Sequence, residues 1–538
     1  MLCDNCLVTD QESAARLETG VRRAELVALL SLGTDLGLGQ PMEHMIRACL
    51  IALRLGAQVG LSEEERKVVF YSGLLAWVGC HTDAYEQAKW FGDDLRSKSD
   101  AHYVYDMGKL GPAFAFLLRH VGGQSRSVVE RARTGVTFVG EGRKALLAMT
   151  ENHYRATDLL ATRLGLGAEV RESLRQTYER WDGKGAYEMS GNDIAPASRL
   201  INLADVVEVF GRAGGVDAAV AVARERSGGQ FDPALVDVFC DLAPLLLSEV
   251  DTIPSWESVI SAEPGLEDWI AEADLDAMLA AVGEFAELKS PWAMGHACSV
   301  AELSERAGRD YGLPEGDVKL VRRAALVQDL GRLGVANHIW DKPGPLSHAE
   351  LERVRLYPHL TERMLAFSPP LAPLGALAAL HHERLDGSGY PRGLAGDAIS
   401  IAGRLLGAAD AYHAMTQIRA YRPALTAREA AVELRVEVKA GRLDGQVVDC
   451  VLRAAGHRVR RQRDWPASLT AREVEVLRLV ARGLSNKRIA AVLGITPKTA
   501  SSHVEHIYRK IDAANRAQAS IFAMRHGLMA DPWAGDVN

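Results

Sequence analysis

One short stretch near the carboxyl end carries basic and polar side chains at spacings that suit contact with a nucleic acid. Between Thr496 and Ile511 the apolar residues recur at helical spacing, so the polar side chains share the opposite face of one helix. Lysine and arginine neutralise phosphates, whereas hydroxyl and imidazole groups form hydrogen bonds with base edges. We expect base contacts from Lys498, Thr499, Ser502 and His503, and phosphate contacts from Lys487, Thr496, Arg509 and Lys510.

The residues around this stretch supply the start and stop signals of three consecutive helices. Thr470, Ser485 and Thr496 can each cap the amino end of a helix, because a side-chain oxygen accepts a hydrogen bond from an unpaired backbone N–H. Gly483 and Gly494 suit the left-handed residue that ends a helix. The pattern predicts a helix-turn-helix whose third helix presents its first turn to the major groove.

The charge distribution agrees with a partner that is a polyanion. From His457 to the end there are 14 lysines and arginines against 7 aspartates and glutamates, although the whole chain has a net charge of -8. A basic tail on an acidic body fits a tail that binds duplex DNA and a body that repels it.

From Leu469 the sequence reads LTAREVEVLRLVARGLSNKRIAAVLGITPKTASSHVEHIYRKI and closely resembles the LuxR-type, also called NarL-type, DNA-binding domain. The resemblance covers about 60 residues and departs from the family at Ala500, where valine is usual. It implies a four-helix unit that binds double-stranded DNA as a homodimer on inverted half-sites. We therefore expect a sequence-specific transcriptional regulator.

Apolar residues recur at helical spacing along nearly the whole chain, which predicts an all-α fold. Linker-like composition near Glu263 and again before Leu469 divides the chain into parts. The predicted parts are a helical module over 1–262 with an insertion at about 89–150, a second module over 263–456, a basic linker over 457–468 and the DNA-binding domain over 469–538.

The first two modules are predicted to be copies of one another. When His44 is set on His296, the eighteen residues HMIRACLIALRLGAQVGL align with HACSVAELSERAGRDYGL without a gap. Further along, YERWDGKG from Tyr178 matches HERLDGSG from His382, and SRLINLAD matches GRLLGAAD. Matching blocks in the same order favour a tandem duplication, although similarity between unrelated alanine- and leucine-rich helices is the alternative.

The second module carries HHERLDGSGYPRGLAGDAI from His381, followed by RLLGAADAYHAMTQIRAYR from Arg404. Together with the KPG at Lys342, these motifs resemble the HD-GYP family over roughly 291–456. The resemblance implies an all-helical HD domain of the kind that opens cyclic di-GMP. In that chemistry, two or three metal ions clamp a phosphate and lower the pKa of a bridging water.

Carried over residue by residue, the resemblance gives a damaged ligand set. Gln328 replaces the histidine of the defining His-Asp pair, Tyr357 replaces a later histidine, Arg332 replaces a lysine and His413 replaces an acid. Glutamine and tyrosine are weak ligands beside imidazole, so a full metal cluster is not expected. A residual divalent ion, Fe or Mn, would be held by the remaining family positions: His296, Asp329, His381, His382 and Asp410. The alternative is that these side chains fill a polar core.

The first module has lost more of the pattern. Ala76 and Trp77 occupy its His-Asp positions, and only His44 and Asp205 persist among the family's ligands. Its expected use is structural.

Two functions from different classes follow. In the preferred one, the degenerate body is a sensor or dimerisation module without catalysis, controlled by a small-molecule or nucleotide effector. The alternative is a cyclic dinucleotide phosphodiesterase fused to a DNA-binding domain. For a nucleotide effector the expected contacts are Tyr390, Arg392, Arg419 and Arg422, although these arginines could equally be surface charges.

The remaining sequence features bear on location and thiol chemistry. No apolar stretch is long enough to cross a bilayer and no secretion signal precedes the first helix, so we expect a cytoplasmic protein without membrane contact. The seven scattered cysteines indicate reduced thiols. Cys3 and Cys6 are spaced as in zinc sites, but a site would need a second pair such as Cys80 with His81.

Overall fold

The computed structural model describes residues 20–104, 106, 109–120, 148–252, 255–265, 267–459, 466–526 and 528–529. Cys3, Cys6, most of the predicted insertion and the middle of the linker lie outside the described residues. The chain divides into two compact units, Met1–His457 and Arg458–Asn538. Within the first unit, the division of the two modules at 262 and 263 stays a prediction.

The described secondary structure is helical apart from isolated β-bridges, which confirms the predicted all-α fold. The first repeat contains α1 (Arg23–Gly37), α2 (His44–Gln58), α3 (Glu63–Leu75), α4 (Ala84–Phe91), α5 (Asp94–Ser99), α6 (Leu110–His120), α7 (148–163), α8 (Ala168–Arg175), α9 (Pro196–Arg226), α10 (Pro233–Thr252) and α11 (Ser255–Ser261). None of the described helices combines the length and the apolar character that a bilayer crossing needs.

The second repeat and the carboxyl-terminal unit follow in chain order. The second repeat contains α12 (Glu272–Glu287), α13 (His296–Tyr311), α14 (Glu315–Val327), α15 (Asn337–Trp340), α16 (His348–Arg355), α17 (Tyr357–Leu365), α18 (Ala372–Ala378), α19 (Ile401–Thr416), α20 (Ala427–Lys439) and α21 (Gly445–Ala454). The last unit contains α22 (Ala471–Ala481), α23 (Asn486–Leu493), α24 (Pro497–Lys510) and α25 (Arg516–Arg525). Short 3-10 helices cover Val78–His81, Gly191–Asp193, Leu330–Gly334, Gly396–Ala398 and Pro466–Ser468, and a π-helical turn covers Asp100–Val104.

The same loop geometry occurs in both repeats. In the first, the buried carboxylate of Glu179 accepts hydrogen bonds from the backbone N–H groups of Tyr187 and Met189, at 2.6 and 3.0 Å. In the second, Glu383 accepts from the equivalent Arg392 and Leu394, both at 2.8 Å. A buried acid that satisfies two loop amides in each repeat supports the predicted duplication.

A close approach between a glycine and a helix also occurs twice. A Cβ atom on Gly79 would lie 2.3 Å from the carbonyl oxygen of His153 in α7, and one on Gly331 would lie 1.9 Å from that of Tyr357 in α17. In both cases a threonine four residues further along the helix accompanies the contact. His153 therefore holds the position in the first repeat that Tyr357 holds in the second.

Contacts between the two repeats are partly ionic and buried. The carboxylate of Asp94 in α5 accepts a hydrogen bond from the backbone of Asn337 at 2.7 Å and lies beside the ammonium groups of Lys98 and Lys289. Lys289 in turn donates to the carbonyl oxygen of Leu333 at 2.7 Å. Because a buried carboxylate needs such partners, these residues fix the two repeats against each other.

The carboxyl-terminal unit has the predicted helix boundaries. Thr470, Ser485 and Thr496 accept the expected hydrogen bonds at the amino ends of α22, α23 and α24. Gly483 and Gly494 have φ of 84 and 63 degrees, which is the left-handed conformation expected of them. Its core is built from the apolar faces of all four helices. The sequence pattern therefore predicted this unit correctly.

The close approach at Gly331 gives a test of the second repeat's packing. Gly331→Ala forces a methyl group into backbone atoms, so we expect a loss of unfolding free energy of about 3 kcal/mol or more. The matched control is Gly316→Ala in α14, where nothing lies within 4 Å of the new methyl group. Because alanine favours a helix, this control should leave stability unchanged or raise it by up to about 1 kcal/mol. Urea unfolding followed by circular dichroism measures both, and equal midpoints for the two variants would contradict the packing described here.

Candidate functional site

The second repeat brings four of the five predicted metal-binding residues to one cleft, and the fifth, His381, is buried behind Tyr357. His296 begins α13, Asp329 follows α14, and Asp410 lies in the middle of α19. The Nε2 atom of His296 lies 2.9 Å from Oδ1 of Asp410, which also accepts a hydrogen bond from the amide of Gln328 at 3.2 Å. Burial alone would raise the pKa of Asp410. The hydrogen bond and the charge of His296 outweigh burial and hold this pKa well below its usual range.

Tyr357 lies between the paired histidines. Its hydroxyl oxygen is 2.6 Å from Nε2 of His381 and 2.6 Å from Nε2 of His382, so it donates to one imidazole and accepts from the other. The Nδ1 atom of His381 faces the carbonyl oxygen of Ala378 at 2.6 Å. Burial and the nearby charge of Asp329 raise the pKa of Tyr357, which keeps the phenol protonated. A neutral hydroxyl thus satisfies both imidazoles.

A fixed positive charge accompanies Asp329. The guanidinium of Arg332 donates to Oδ2 of Asp329 at 3.1 Å and lies over the ring of Trp340, 4.2 Å from its centroid. Burial alone would raise the pKa of Asp329, but the positive charge of Arg332 and, to a smaller extent, that of His296 lower it. The other oxygen of Asp329, Oδ1, is buried without a hydrogen-bond partner among the described residues. The carboxylate is therefore ionised and only half satisfied.

These residues do not fit the metal cluster that the resemblance implies. Tyr357 and Gln328 stand at two ligand positions, and the guanidinium of Arg332 repels a second cation beside Asp329. Among the residues that the structure describes, no group of three or more histidine, cysteine, aspartate or glutamate side chains is arranged to hold a metal ion. A single residual ion at the five predicted residues stays a prediction.

The cleft itself has a volume of about 370 Å³, and its wall includes the carboxylates of Asp329 and Asp410, the imidazoles of His296 and His382 and several apolar side chains. The wall also includes three cationic and five aromatic side chains: Arg332, Lys342, Arg419, Trp292, Trp340, Tyr357, Tyr390 and Tyr421. Burial and the neighbouring charge of Arg332 lower the pKa of Arg419, so the two guanidinium groups repel each other across the cleft. An anion placed between them would relieve this repulsion.

Of the four predicted nucleotide contacts, the structure places two at the cleft. Tyr390 and Arg419 line it, whereas Arg392 pairs with Glu362, and Arg422 donates to backbone carbonyls at the end of α19, including that of Ala414 at 2.6 Å. Arg392 and Arg422 are thus engaged outside the lining. Trp292, Trp340 and Tyr421 were not predicted to line the cleft, because aromatic residues on separate loops and a short helix carry no local signal of convergence.

The first repeat holds His44 and Asp205, the two family positions that persist there, inside a closed cluster. The two ring nitrogens of His44 lie 2.9 Å from Asp205 and 2.6 Å from Glu208, and Tyr103 also contacts the ring. Burial lowers the pKa of His44, but hydrogen bonds to the two carboxylates outweigh it and raise the pKa to about 10. His44 is therefore a buried cation, in keeping with the structural role expected of this repeat.

The sequence analysis overlooked His153 in this repeat. Its Nδ1 atom lies 2.8 Å from the hydroxyl of Tyr178, which corresponds to His382. The two repeats thus hold the same histidine–tyrosine contact with the partners exchanged: His153 with Tyr178, and Tyr357 with His382. The intervening insertion hid this match, although the spacing of His153 and Thr157 equals that of Tyr357 and Thr361.

The predicted DNA-binding residues lie on α24 and at the start of α23. Ala500, Val504 and Ile507 of α24 are buried in the core of the unit, which leaves the polar face outward. The exposed predicted residues are Lys487, Thr496, Lys498, Thr499, Ser502, Arg509 and Lys510, and His503 is half-buried. Lys510 pairs with Glu473 at 2.8 Å. Lys487, Lys498 and Arg509 make no ion pair with any described residue, so their charges face solvent.

Comparison with known families agrees with both parts of the chain. The family model described as "HD domain" matches residues 281–447, and the model described as "Bacterial regulatory proteins, luxR family" matches residues 467–523. The predicted HD-like body and LuxR-type domain are confirmed. HD domains generally bind divalent metal ions, which is why the altered ligand positions matter here.

Individual relatives are phosphodiesterases. The 3'3'-cGAMP-specific phosphodiesterase 3 of Vibrio cholerae is 34% identical over 417 residues, covering 75% of this chain and 88% of the relative. A cyclic di-GMP phosphodiesterase response regulator of Xanthomonas campestris is 35% identical over 165 residues, which cover 30% of this chain and 43% of the relative. The crystal structure of a cyclic GMP-AMP specific phosphodiesterase of V. cholerae superposes with a TM-score of 0.57 and 27% identity, covering 82% of this chain and 99% of that one.

Proposed function

This chain belongs to the HD-domain family that includes the 3'3'-cGAMP-specific phosphodiesterase 3 of Vibrio cholerae, and we propose that it is a DNA-binding transcriptional regulator whose HD body binds a cyclic dinucleotide without cleaving it. One observation carries this proposal. The hydroxyl of Tyr357 lies between the paired histidines, in a cleft that retains cationic and aromatic walls.

The walls of the cleft suit a ligand with phosphates and flat bases. Arg332 and Arg419 offer planar donors that match phosphate oxygens, whereas the ammonium of Lys342 at the cleft is paired with Glu350 at 2.7 Å. Tyr390, Tyr421 and the two tryptophans offer ring faces on which bases can stack. A cyclic dinucleotide has both features, and the relatives' substrates belong to this class.

Cleavage needs more than binding. Hydrolysis of a phosphodiester in this fold depends on metal ions that lower the pKa of the attacking water. Tyr357 and Gln328 are weak ligands at two of the positions, and Arg332 already neutralises Asp329. The retained cleft and the altered ligands together favour a receptor over an enzyme.

One contact supports a route from the cleft to the end of the body. Helix α19 carries Asp410 and His413, which both contact His296 at the cleft. The same helix carries Tyr412, whose hydroxyl lies 2.9 Å from Nε2 of His457, the last residue of the first compact unit. We propose that a ligand which shifts α19 changes this contact and thereby the start of the linker.

The carboxyl-terminal unit supplies the output of the regulator. The outward polar face of α24 supports insertion into the major groove, with Lys498, Thr499, Ser502 and His503 nearest the base edges. Lys487 and Arg509 are proposed phosphate contacts, whereas Lys510 must first leave Glu473. We propose that the protein binds two half-sites as a homodimer. The exposed side chains of Ile521 and Met524 on α25 support a contact between copies.

The first test concerns the cleft. We expect the purified chain to bind 3'3'-cGAMP or cyclic di-GMP in a calorimetric titration, and the ligand to be recovered intact after incubation with Mn(II) or Fe(II). Arg419→Ala removes a charged donor from the cleft and should weaken binding about tenfold. Arg392→Ala, which removes an arginine outside the cleft, is the matched control and should bind like the native chain.

Two outcomes would contradict this account of the cleft. If neither nucleotide binds, the cleft serves another class of ligand. If the nucleotide is hydrolysed, with two or more metal ions retained per chain and turnover abolished by Asp329→Ala, the protein is the fused phosphodiesterase instead.

The second test concerns DNA. Lys498→Ala combined with His503→Ala should weaken binding to a selected operator by tenfold to hundredfold while binding to random DNA changes less, because base contacts specify sequence. Arg509→Ala should weaken both about equally and reduce the salt dependence by about one counterion. Arg525→Ala on α25 removes one positive charge away from the proposed DNA-binding face. It controls for the loss of charge alone. Unchanged affinity and sequence preference in a footprinting assay would overturn the assignment of α24.

A further inference from the structure

A second group of reactive side chains lies in the first repeat, outside the cleft. Cys80 belongs to the 3-10 helix Val78–His81, Asp83 follows it, His153 lies in α7 and Tyr178 follows α8. The thiol of Cys80 is 3.0 Å from the hydroxyl of Tyr178, and that hydroxyl is 2.8 Å from Nδ1 of His153. Nε2 of His153 lies 2.7 Å from a carboxylate oxygen of Asp83, a charge contact whose angle is not that of a hydrogen bond. The four side chains form a continuous row.

This row can move a proton away from the thiol. If the thiol gives its proton to the oxygen of Tyr178 while the phenol gives its own to His153, the result is a thiolate and an imidazolium. The imidazolium faces the carboxylate of Asp83, and the thiolate accepts the hydrogen bond of the phenol. A nucleophile, a base and a third group that orients the base are the arrangement by which proteins activate a thiol.

The pKa shifts of His153 and Tyr178 agree with a proton on the imidazole of His153. Burial lowers the pKa of His153, but the negative charge of Cys80 and the contact with Asp83 outweigh it and raise the pKa to about 9. Burial and the charge of Cys80 raise the pKa of Tyr178, so the phenol remains a hydrogen-bond donor. A protonated imidazole beside Asp83 is the state that a thiolate at Cys80 requires.

Other cysteines in the described part of the chain have a different setting. Cys49 is buried among apolar side chains, and burial raises its pKa. Burial and the adjacent Glu284 raise the pKa of Cys298 to about 11. Both thiols therefore stay protonated at neutral pH, and they provide internal references for Cys80 in the same molecule.

We propose that Cys80 is a reactive thiolate and a site of oxidation by hydrogen peroxide. The sulfur attacks one peroxide oxygen, an S–O bond forms and the O–O bond breaks, which leaves a sulfenic acid on Cys80. The departing hydroxide takes the proton of the His153 imidazolium and leaves as water. The sulfur is oxidised and the peroxide is reduced, with no further reactant.

Cys80 is 7% exposed, so the site suits an oxidant of this small size. The site is independent of the nucleotide cleft.

The first experiment measures the alkylation rate of each cysteine in the native chain with iodoacetamide between pH 5 and 9, by peptide mass spectrometry. We expect the Cys80 rate to level off above an inflection below pH 7, and at pH 6.5 to exceed the rate of Cys298 by about tenfold or more. An inflection at or above pH 8, or no labelling of Cys80 across the whole range, would overturn the proposal.

The second experiment removes the relay. Tyr178→Phe keeps the ring and deletes the hydroxyl, so the Cys80 rate at pH 6.5 should fall about tenfold. Tyr187→Phe deletes a hydroxyl that contacts Glu151 and is the matched control. Circular dichroism checks that both variants are folded. If Tyr178→Phe is not folded, the pH dependence of Cys80 alkylation in the native chain tests the proposal by itself. Equal rates in the native chain and a folded Tyr178→Phe would overturn the proposal.

The third experiment tests the oxidation itself. The native chain is treated with hydrogen peroxide in the presence of dimedone, which traps sulfenic acids. We expect the adduct on Cys80 and a loss of that adduct in Tyr178→Phe. Adducts that appear on Cys240 or Cys298 but not on Cys80 would contradict the assignment.

Discussion

The two carboxylates buried at the cleft, Asp329 and Asp410, impose the constraint on which the rest of the second repeat depends. Each is about 5% exposed, and a buried carboxylate is stable only with a compensating partner. Here His296 and Gln328 contact Asp410, and Arg332 pairs with Asp329. The charge balance of the site is thus met by the chain's own side chains.

The same constraint explains the tyrosine in each repeat. A phenol donates one hydrogen bond and accepts another, so it can lie against imidazole nitrogens without adding charge. Tyr357 does so with the paired histidines of the second repeat, and Tyr178 does so with His153 in the first. In the first repeat the neighbour is a thiol instead of a guanidinium, because Cys80 holds the position of Arg332. The two modules therefore hold different polar clusters at matching positions.

The features predicted best from the sequence are helix ends and turns, because their signals lie within a few residues. Caps such as Thr470 and Thr496, and turns such as Gly494, act within a few residues, and the first three helices of the carboxyl-terminal unit begin where they were predicted, whereas its fourth helix was implied by the resemblance alone. The convergence of His296 and Asp410 came from resemblance alone. The stacking of Arg332 on Trp340 and the match between His153 and Tyr357 could not be predicted, because they depend on contacts between helices far apart in the chain.

The central claim is that a nucleotide in the cleft changes how the chain binds DNA. The direct measurement is the affinity of the full chain for a selected DNA fragment, by fluorescence anisotropy, with and without saturating 3'3'-cGAMP or cyclic di-GMP. The account predicts at least a fivefold change in the native chain, which is the usual lower size of coupling between two sites, and a nucleotide concentration about tenfold higher to reach half of that change in Arg419→Ala. Equal DNA affinity with and without the nucleotide, when titration shows the cleft to be filled, would contradict it.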